Sequence, residues 1–332
     1  MKNSICNTNN PCSGKYGDCL DVILTNKCNA KCSFCVQRNN AHYVAGSNNP
    51  NLADIINSND AKNILLVGGE PTIYHRLGEL LEKIYKTKKV YLTTNGSYLG
   101  VTSAMHRNLQ LLSGLNISIH SPSEECNNKI FGIKDVLIPY GIEFQLIRDT
   151  VKFLKEKNPS MSIRINANLF KGGIDSPEKP QEMIDLARYL GVKSIRFAEL
   201  QGVNKENGFI FASDIFPRYE FLKENPFTSG CETNMVIDNF PVLIRRVCGI
   251  VSKNLPPVIN PIGRKATTKV LHPDGVITNG FTGLPDCHKE IKDKKKIYKE
   301  WLKVVVPDKT DKNDKNEDCE DCHWNYSNDS CH

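Results

Sequence analysis

The chain has 332 residues, which is enough for one large domain or for a domain with a smaller appendage. Its content of 39% hydrophobic and 24% charged residues excludes a disordered or fibrous protein. The formal net charge of +6 is small for this length and does not by itself indicate a nucleic-acid or membrane partner. No apolar run approaches the roughly 20 residues that span a bilayer, and the N-terminus resembles no signal peptide, so we expect a cytoplasmic protein without membrane or nucleic-acid partners.

Thirteen cysteines are many for a chain expected in the cytoplasm, where disulfide bonds are rare. Ligation of a metal or a metal cluster is therefore the better default. The cysteines form three groups and one isolated position: Cys6, Cys12 and Cys19; Cys28, Cys32 and Cys35; Cys126; and Cys231, Cys248, Cys287, Cys319, Cys322 and Cys331. The sequence does not indicate a role for Cys6, Cys12, Cys19 or Cys126.

Strand and helix signals alternate six times along the first two thirds of the chain. Short apolar runs predict strands at residues 21–25, 63–67, 90–93, 115–119, 162–166 and 193–198. Apolar side chains at helical spacing predict four helices, which are marked by Leu77, Leu80, Leu81 and Ile84; Met105, Leu109 and Leu112; Phe144, Ile147, Val151 and Leu154; and Met183, Leu186, Ala187 and Leu190. This alternation predicts a parallel sheet with right-handed crossovers. Six units are too few for a closed eight-stranded barrel, so we expect a partial (β/α)6 barrel with an open side for substrate.

The pattern changes after about residue 205. Two hairpins are predicted, at residues 235–244 around Asp238 and Asn239, and at residues 267–278 around a Pro-Asp-Gly turn. A Lys-rich helix is expected at residues 288–304, followed by a polar linker. We therefore expect an N-terminal extension (1–20), the α/β partial barrel (21–205) and a smaller α+β C-terminal domain (206–332).

Cys28, Cys32 and Cys35 lie within eight residues, just after the first predicted strand. The carboxyl ends of parallel strands are where α/β folds carry their chemistry. Thiolates suit zinc or iron–sulfur clusters, and tetrahedral zinc normally takes four protein ligands, whereas no fourth Cys or His follows within a few residues. A cubane cluster held by three cysteines keeps one iron for an outside ligand.

Polar motifs follow the next strands. Residues 68–71 read Gly-Gly-Glu-Pro, residues 93–96 read Thr-Thr-Asn-Gly, and residues 116–120 read Asn-Ile-Ser-Ile-His. Glycines permit close backbone approach, and a carboxylate at a strand end can accept hydrogen bonds from an ammonium group. Each motif taken alone is also compatible with an ordinary turn.

Taken together and in this order, these motifs make residues 20–205 resemble the radical S-adenosylmethionine (SAM) superfamily. The resemblance implies a [4Fe–4S] cluster held by Cys28, Cys32 and Cys35, whose fourth iron chelates the amino and carboxylate groups of SAM. It also implies a set of SAM-binding residues, namely Phe34 at the adenine, Gly68, Gly69 and Glu70 at the amino group, Asn95, Ser118 at the ribose, Arg164 at the carboxylate, and Asn166 on the same strand face as Arg164. An ion pair lining the barrel is the alternative for Arg164.

Within this superfamily the chain looks most similar to the GTP cyclase of molybdenum-cofactor synthesis and to the SPASM/twitch group, which includes peptide maturases. Residues 196–200, Arg-Phe-Ala-Glu-Leu, add to that likeness. There are also departures from the pattern. His120 stands where many relatives carry an acid, the fifth strand lacks a Gly-containing adenine motif, and the cyclase's C-terminal Gly-Gly tail is replaced by Cys331-His332.

The C-terminal cysteines have spacings typical of ligands. By resemblance to the SPASM/twitch scaffold, Cys231, Cys248, Cys287, Cys319, Cys322 and Cys331 are candidate ligands of one or more auxiliary iron–sulfur clusters. The alternative is a zinc knuckle of Cys319, Cys322 and Cys331 with His323 or His332.

The resemblance predicts an enzyme that cleaves SAM reductively and removes a hydrogen atom from a substrate. We expect a peptide or protein side chain as the substrate, because the SPASM-like features favour it. The alternative, which the cyclase likeness favours, is a nucleotide or another small molecule. A basic pocket built from Arg164, Arg196, Arg245, Arg246, Arg264 or Lys265 would favour a phosphorylated ligand, although each of these could be a solvated surface charge. An electron donor such as flavodoxin or ferredoxin is expected. The non-enzymatic alternative, a zinc-binding protein, leaves residues 68–71 unexplained.

Overall fold

A computed structural model describes residues 19–35, 37, 49–100, 102–133, 141–200, 208, 210–223, 232–246 and 269–279. The N-terminal extension up to residue 18 lies outside these ranges. So do the helix expected at residues 288–304, the polar linker, the C-terminal cysteines, Arg264 and Lys265. Within the described ranges, no helix is long and apolar enough to cross a membrane.

The described chain forms one sheet of ten strands with helices between them. The strands are β1 (Cys19–Ile23), β2 (Asn63–Val67), β3 (Lys89–Thr94), β4 (Gly114–Ser118), β5 (Ser162–Leu169), β6 (Ser194–Glu199), β7 (Glu232–Ile237), β8 (Phe240–Arg245), β9 (Lys269–Leu271) and β10 (Ile277–Asn279). The helices are α1 (Leu52–Ser58), α2 (Leu77–Ile84), α3 (Ser103–Leu109), α4 (Glu124–Phe131), α5 (Phe144–Lys157), α6 (Lys179–Tyr189) and α7 (Ala212–Ile215).

The sheet order is β10-β9-β1-β2-β3-β4-β5-β6-β8-β7, and β1 to β6 pair in parallel. This arrangement confirms the six predicted parallel strands and the partial α/β barrel. β1 begins and ends two residues earlier than predicted. After Ile23 the chain still bonds to β2 and its loop, since Leu24 N donates to Val67 O and Gly69 N donates to Thr25 O.

Each barrel strand has one apolar and one polar face. In β5, Ile163, Ile165 and Ala167 are buried in the hydrophobic core under the helices. Arg164 and Asn166 alternate with them and therefore point to the opposite side of the sheet. We call this opposite side the inner face. The polar side chains of β5 and its neighbours share this face.

The sequence predicted helices α2, α3, α5 and α6 but not α1, α4 or α7. Helix α1 has only seven residues, and Leu52, Ala53 and Ile56 are its buried side chains. Helix α4 buries Phe131 and the polar Asn127, so it carries almost no apolar periodicity. Its boundaries come from local chemistry instead, with Ser123 capping the start and Gly132 at φ 55° ending it.

Both predicted hairpins are present, and both extend the barrel sheet. The β7–β8 turn has Asp238 and Asn239 at φ 47° and 59°, and β8 adds in parallel to β6. The β9–β10 turn uses Gly275 at φ 93°, and β9 adds in parallel to β1. The division into three domains stays a prediction.

Candidate active site

The cysteine loop leaves the carboxyl end of β1. Leu24 N donates to Val67 O at 2.9 Å, and Lys31 N donates to Phe131 O at 2.6 Å, so β2 and the end of α4 hold the loop from both sides. Cys28 is exposed, whereas Cys32 and Cys35 are partly buried, and none of the three is in a disulfide bond. All three thiols therefore stay available as ligands.

Gly68 and Gly69 pack directly against this loop. Gly69 N donates to Thr25 O at 2.7 Å, and Glu70 N donates to Lys27 O at 2.9 Å. A Cβ on Gly69 would lie 1.9 Å from Lys27 O, and one on Gly68 would lie 2.5 Å from Thr25 O. The glycines are needed here because the two loops touch; the sequence predicted a close backbone approach but not that the cysteine loop is the partner.

Glu70 is almost fully buried and binds protein donors. Its Oε1 accepts from Thr72 N at 3.0 Å, Thr72 Oγ1 at 2.6 Å and Thr94 Oγ1 at 2.6 Å. Its Oε2 accepts from Asn95 N at 2.8 Å. Burial raises the pKa of Glu70, while these hydrogen bonds oppose the rise. The carboxylate thus joins the loops after β2 and β3, and Oε2 keeps room for one further donor. The predicted contact of Glu70 with SAM stays a prediction.

Asn95 connects the loop after β3 to the cysteine loop. Its Nδ2 donates to Asn29 Oδ1 at 2.9 Å, and Asn29 Nδ2 donates to Ser97 Oγ at 2.8 Å. Ser97 Oγ donates in turn to Asn95 Oδ1 at 2.6 Å. Sequence reasoning singled out Asn95 but missed Asn29 and Ser97. The position of Asn29 between two cluster cysteines was the available signal.

Phe34 belongs to an aromatic group with His120, Phe131 and Phe170. Its ring centroid lies 5.1 Å from that of His120 and 4.7 Å from that of Phe170. Burial lowers the pKa of His120 to about 3, so its imidazole is neutral. Because Nδ1 accepts from Asn168 N at 3.1 Å, the ring proton is on Nε2. His120 therefore supports Phe34 by packing and carries no charge.

Three predicted SAM contacts lie on the inner face of β4 and β5. In the register of the sheet, Ser118 of β4 stands beside Asn166 of β5, and Asn166 stands beside Arg196 of β6. The Oδ1 of Asn166 is buried and has no hydrogen-bond partner within the described ranges. Burial lowers the pKa of Arg164 to about 10, and the charge of Arg245 adds to that shift. The Oδ1 of Asn166 can therefore accept a hydrogen bond from a ligand.

The inner face also carries more positive than negative charge. Arg196 and Arg245 are close enough to Asp21 of β1 for their charges to lower its pKa, against a larger rise caused by burial. Arg245 Nε lies 3.8 Å from Glu232 Oε1. Burial, Arg164 and Arg245 all lower the pKa of Arg196, and its Nε has no hydrogen-bond partner in the described part of the chain. The site is therefore suited to an anion.

The residues of the cysteine loop fit a cluster with three protein ligands. In the ranges that the structure describes, no three Cys, His, Asp or Glu side chains are already grouped at metal-binding distance. The donor set of Cys28, Cys32 and Cys35 is nevertheless three reduced thiols on one loop, one fewer than structural zinc normally takes. The candidate auxiliary ligands Cys231, Cys248, Cys287, Cys319, Cys322 and Cys331 lie outside those ranges.

A parallel-stranded partial barrel with a three-cysteine loop after its first strand defines a class of cluster-dependent enzymes. The sequence pattern of the Radical SAM superfamily matches residues 22–187. The chain belongs to the radical SAM superfamily, and it is a radical SAM enzyme that uses a [4Fe–4S] cluster and SAM.

Individual relatives agree with this assignment. The chain is 26% identical over 206 residues to a GTP 3',8-cyclase of Aquifex aeolicus, covering 58% of this chain and 59% of the relative. It is 26% identical over 209 residues to a GTP 3',8-cyclase of Clostridium perfringens, covering 59% and 60%. The match thus spans about three fifths of these cyclases. Among solved structures, SuiB of Streptococcus suis bound to SAM has a TM-score of 0.54 at 15% identity, covering 85% of this chain and 65% of SuiB.

Proposed function

We propose that this radical SAM enzyme removes a hydrogen atom from a small anionic molecule, with a nucleotide as the substrate class. With the cluster and SAM bound, the available chemistry is one-electron cleavage of SAM to methionine and a 5′-deoxyadenosyl radical that takes the hydrogen atom. The protein's own part is to hold the target C–H bond close and to exclude water and other hydrogen donors.

The observation that carries the proposal is the positive charge on the inner face of the barrel. Arg196 and Arg245 lie there with Asp21 and Glu232, and Arg164 lies one strand away on β5. The buried Nε of Arg196 has no hydrogen-bond partner among the residues described. A phosphate or carboxylate group would supply the missing acceptor, and guanidinium groups bind both in a bidentate manner.

The remaining residues divide between the two ligands. Cys28, Cys32 and Cys35 hold the cluster, and Glu70 and Arg164 bind the amino and carboxylate groups of SAM. Phe34 contacts the adenine, and Ser118 the ribose. Arg196 and Arg245 then face the substrate. A flavodoxin or ferredoxin supplies the electron.

The relatives support a nucleotide more than a peptide. Two proteins to which this chain is 26% identical are named GTP 3',8-cyclase. SuiB has been solved with its precursor peptide SuiA, but its 16% identity to this chain supports a likeness of fold alone. A peptide substrate is therefore the alternative that the experiment must exclude.

The test measures 5′-deoxyadenosine formation by anaerobically reconstituted protein with SAM and dithionite. We expect GTP, or another of the common nucleoside triphosphates, to increase the rate above the rate without substrate. In the Arg196→Met variant the concentration of that nucleotide needed for half-maximal stimulation should rise about 10-fold or more, as expected from loss of a charged hydrogen bond.

Two controls make the result specific. Arg107→Met removes an exposed arginine of α3 and should leave the stimulation by nucleotide unchanged. Cys32→Ala should abolish 5′-deoxyadenosine formation altogether. Stimulation by an unphosphorylated peptide together with none by any nucleotide would refute the proposed substrate class.

A further inference from the structure

Asn29, Asn95 and Ser97 form a closed ring of side-chain hydrogen bonds beside the first cluster cysteine. Asn29 donates to Ser97 at 2.8 Å, Ser97 donates to Asn95 at 2.6 Å, and Asn95 donates back to Asn29 at 2.9 Å. Because each member both donates and accepts within the ring, the orientation of both amide groups is fixed. Asn95 and Ser97 are buried, so the ring is shielded from competing water.

The ring connects three loops that follow three neighbouring strands. Asn29 directly follows Cys28 in the loop after β1, and Asn95 and Ser97 lie in the loop after β3. The backbone N–H of Asn95 also donates to Glu70 Oε2 at 2.8 Å, which brings in the loop after β2. A displacement of the cysteine loop therefore breaks contacts with both other loops.

We propose that Asn29 is a positioning residue for the cluster. Through the ring it sets where Cys28 stands relative to Gly68, Gly69 and Glu70, and thus how SAM reaches the iron that no cysteine holds. Backbone bonds at residues 24, 25, 27 and 31 fasten the loop on either side of Cys28, and the ring adds a side-chain anchor at the next residue, Asn29. A misplacement of about 1 Å in such a site can reduce reactivity about 100-fold. This inference rests on the cluster and SAM and is independent of the substrate class.

The experiment compares wild type with Asn29→Ala and Ser97→Ala after anaerobic reconstitution. It measures iron content, the dissociation constant for SAM, and the electron paramagnetic resonance spectrum of the reduced protein with and without SAM. We expect Asn29→Ala to retain its iron but to bind SAM about 10-fold more weakly, with a smaller SAM-dependent change in the spectrum. Ser97→Ala should weaken SAM binding and reduce the spectral change by smaller amounts, because the hydrogen bond between Asn29 and Asn95 remains.

The chain offers a closely matched control. Asn57 also bridges two segments through both ends of its amide, since it donates to Lys83 O at 3.2 Å and accepts from Thr87 Oγ1 at 2.7 Å. It lies on α1, away from the cysteine loop, so Asn57→Ala should leave SAM binding and the spectrum unchanged.

Two results would overturn the proposal. The first is wild-type SAM affinity and an unchanged spectral response in Asn29→Ala. The second concerns the case in which Asn29→Ala loses iron or fails to fold, so that Ser97→Ala becomes the test. Wild-type SAM affinity and an unchanged spectral response in Ser97→Ala would then overturn the proposal. Weaker SAM binding in Ser97→Ala would support it. A failure of nucleotides to stimulate the enzyme would not affect these measurements, so the two proposals fail separately.

Discussion

Asp21 is a carboxyl group that is 7% exposed, on the inner face of β1. Burial raises its pKa from 3.8 to about 7, although Arg245 and Arg196 oppose the shift. The folded protein therefore binds a proton that the unfolded chain has already lost between these two pH values. Asp21 therefore does not destabilise the folded protein below about pH 4. Its destabilising contribution to the free energy of unfolding grows as the pH rises from about 4 to about 7, and it is complete above about pH 7.

Replacing Asp21 by Asn should flatten the pH dependence of stability. Between pH 5 and pH 8, the free energy of unfolding of wild type should fall by at most about 3 kcal/mol more than that of Asp21→Asn, because the folded-state pKa of about 7 lies about two pH units above pH 5. Urea denaturation at several pH values measures this difference. The exposed Asp60→Asn variant is the control. Parallel pH profiles of Asp21→Asn and wild type would contradict the assignment.

At the same scale, the sequence indicates candidate site residues but not their contacts. The cysteines, Gly68–Glu70 and Asn95 could be singled out as candidates because they follow strand ends in a fixed order. Asn29, Ser97 and the aromatic partners of Phe34 could not, because their roles depend on contacts between loops far apart in the chain. Such contacts follow from strand order, which a local pattern does not contain.

Among the elements, α4 depends on a single polar side chain. Asn127 is fully buried, and its Oδ1 accepts from His120 N at 2.8 Å and from Ser121 N at 3.1 Å. Its Nδ2 donates to Ser121 O at 2.6 Å and to Ser123 O at 2.8 Å. The turn from β4 into α4 is thus completed by a side chain instead of by a backbone ladder. Because Lys31 N donates to Phe131 O at the end of α4, the turn that positions α4 also helps to position the cysteine loop.

We expect Asn127→Ala to lower the free energy of unfolding by about 2–4 kcal/mol, because it leaves buried backbone groups without partners. Asn127→Asp keeps the two accepted bonds but buries a carboxylate beside Ser121 O and Ser123 O, so its loss at neutral pH should be at least as large. Chemical denaturation of both variants checks the order. Equal stability of Asn127→Ala and wild type would show that the turn does not depend on this residue.

The helices that the sequence missed differ in kind. Phe131 is the one apolar side chain that helix α4 buries, and α7 has four residues, so capping and tertiary contacts decide their formation. Helix α1 has seven residues like the predicted α3, and its three buried apolar side chains were missed. The strands β2 to β6 were predicted because both their length and their apolar face are visible in the sequence. The Asp238-Asn239 turn was also predictable, since both residues tolerate the left-handed conformation found there.

For the whole molecule, the number of bound irons distinguishes the remaining interpretations of the cysteines. A SAM cluster with one auxiliary cluster gives about eight irons in wild type and about four after replacement of Cys28, Cys32 and Cys35 by Ala. We expect this pair of values, measured by iron and sulfide analysis after anaerobic reconstitution. About four irons in wild type and none in the variant would instead favour zinc at the C-terminal cysteines.

The pairing of β1 with β9 has a consequence for the order of assembly. Leu20 pairs with Lys269, roughly 250 residues later, so a ribosome must synthesise most of the chain before β1 gains its second neighbour. β1 carries the cysteine loop at its end. Until β9 has been synthesised, β1 is an open edge of the sheet, whose unpaired backbone N–H and C=O groups can pair with another strand. Pairing with β9 removes that edge once the hairpin has been synthesised.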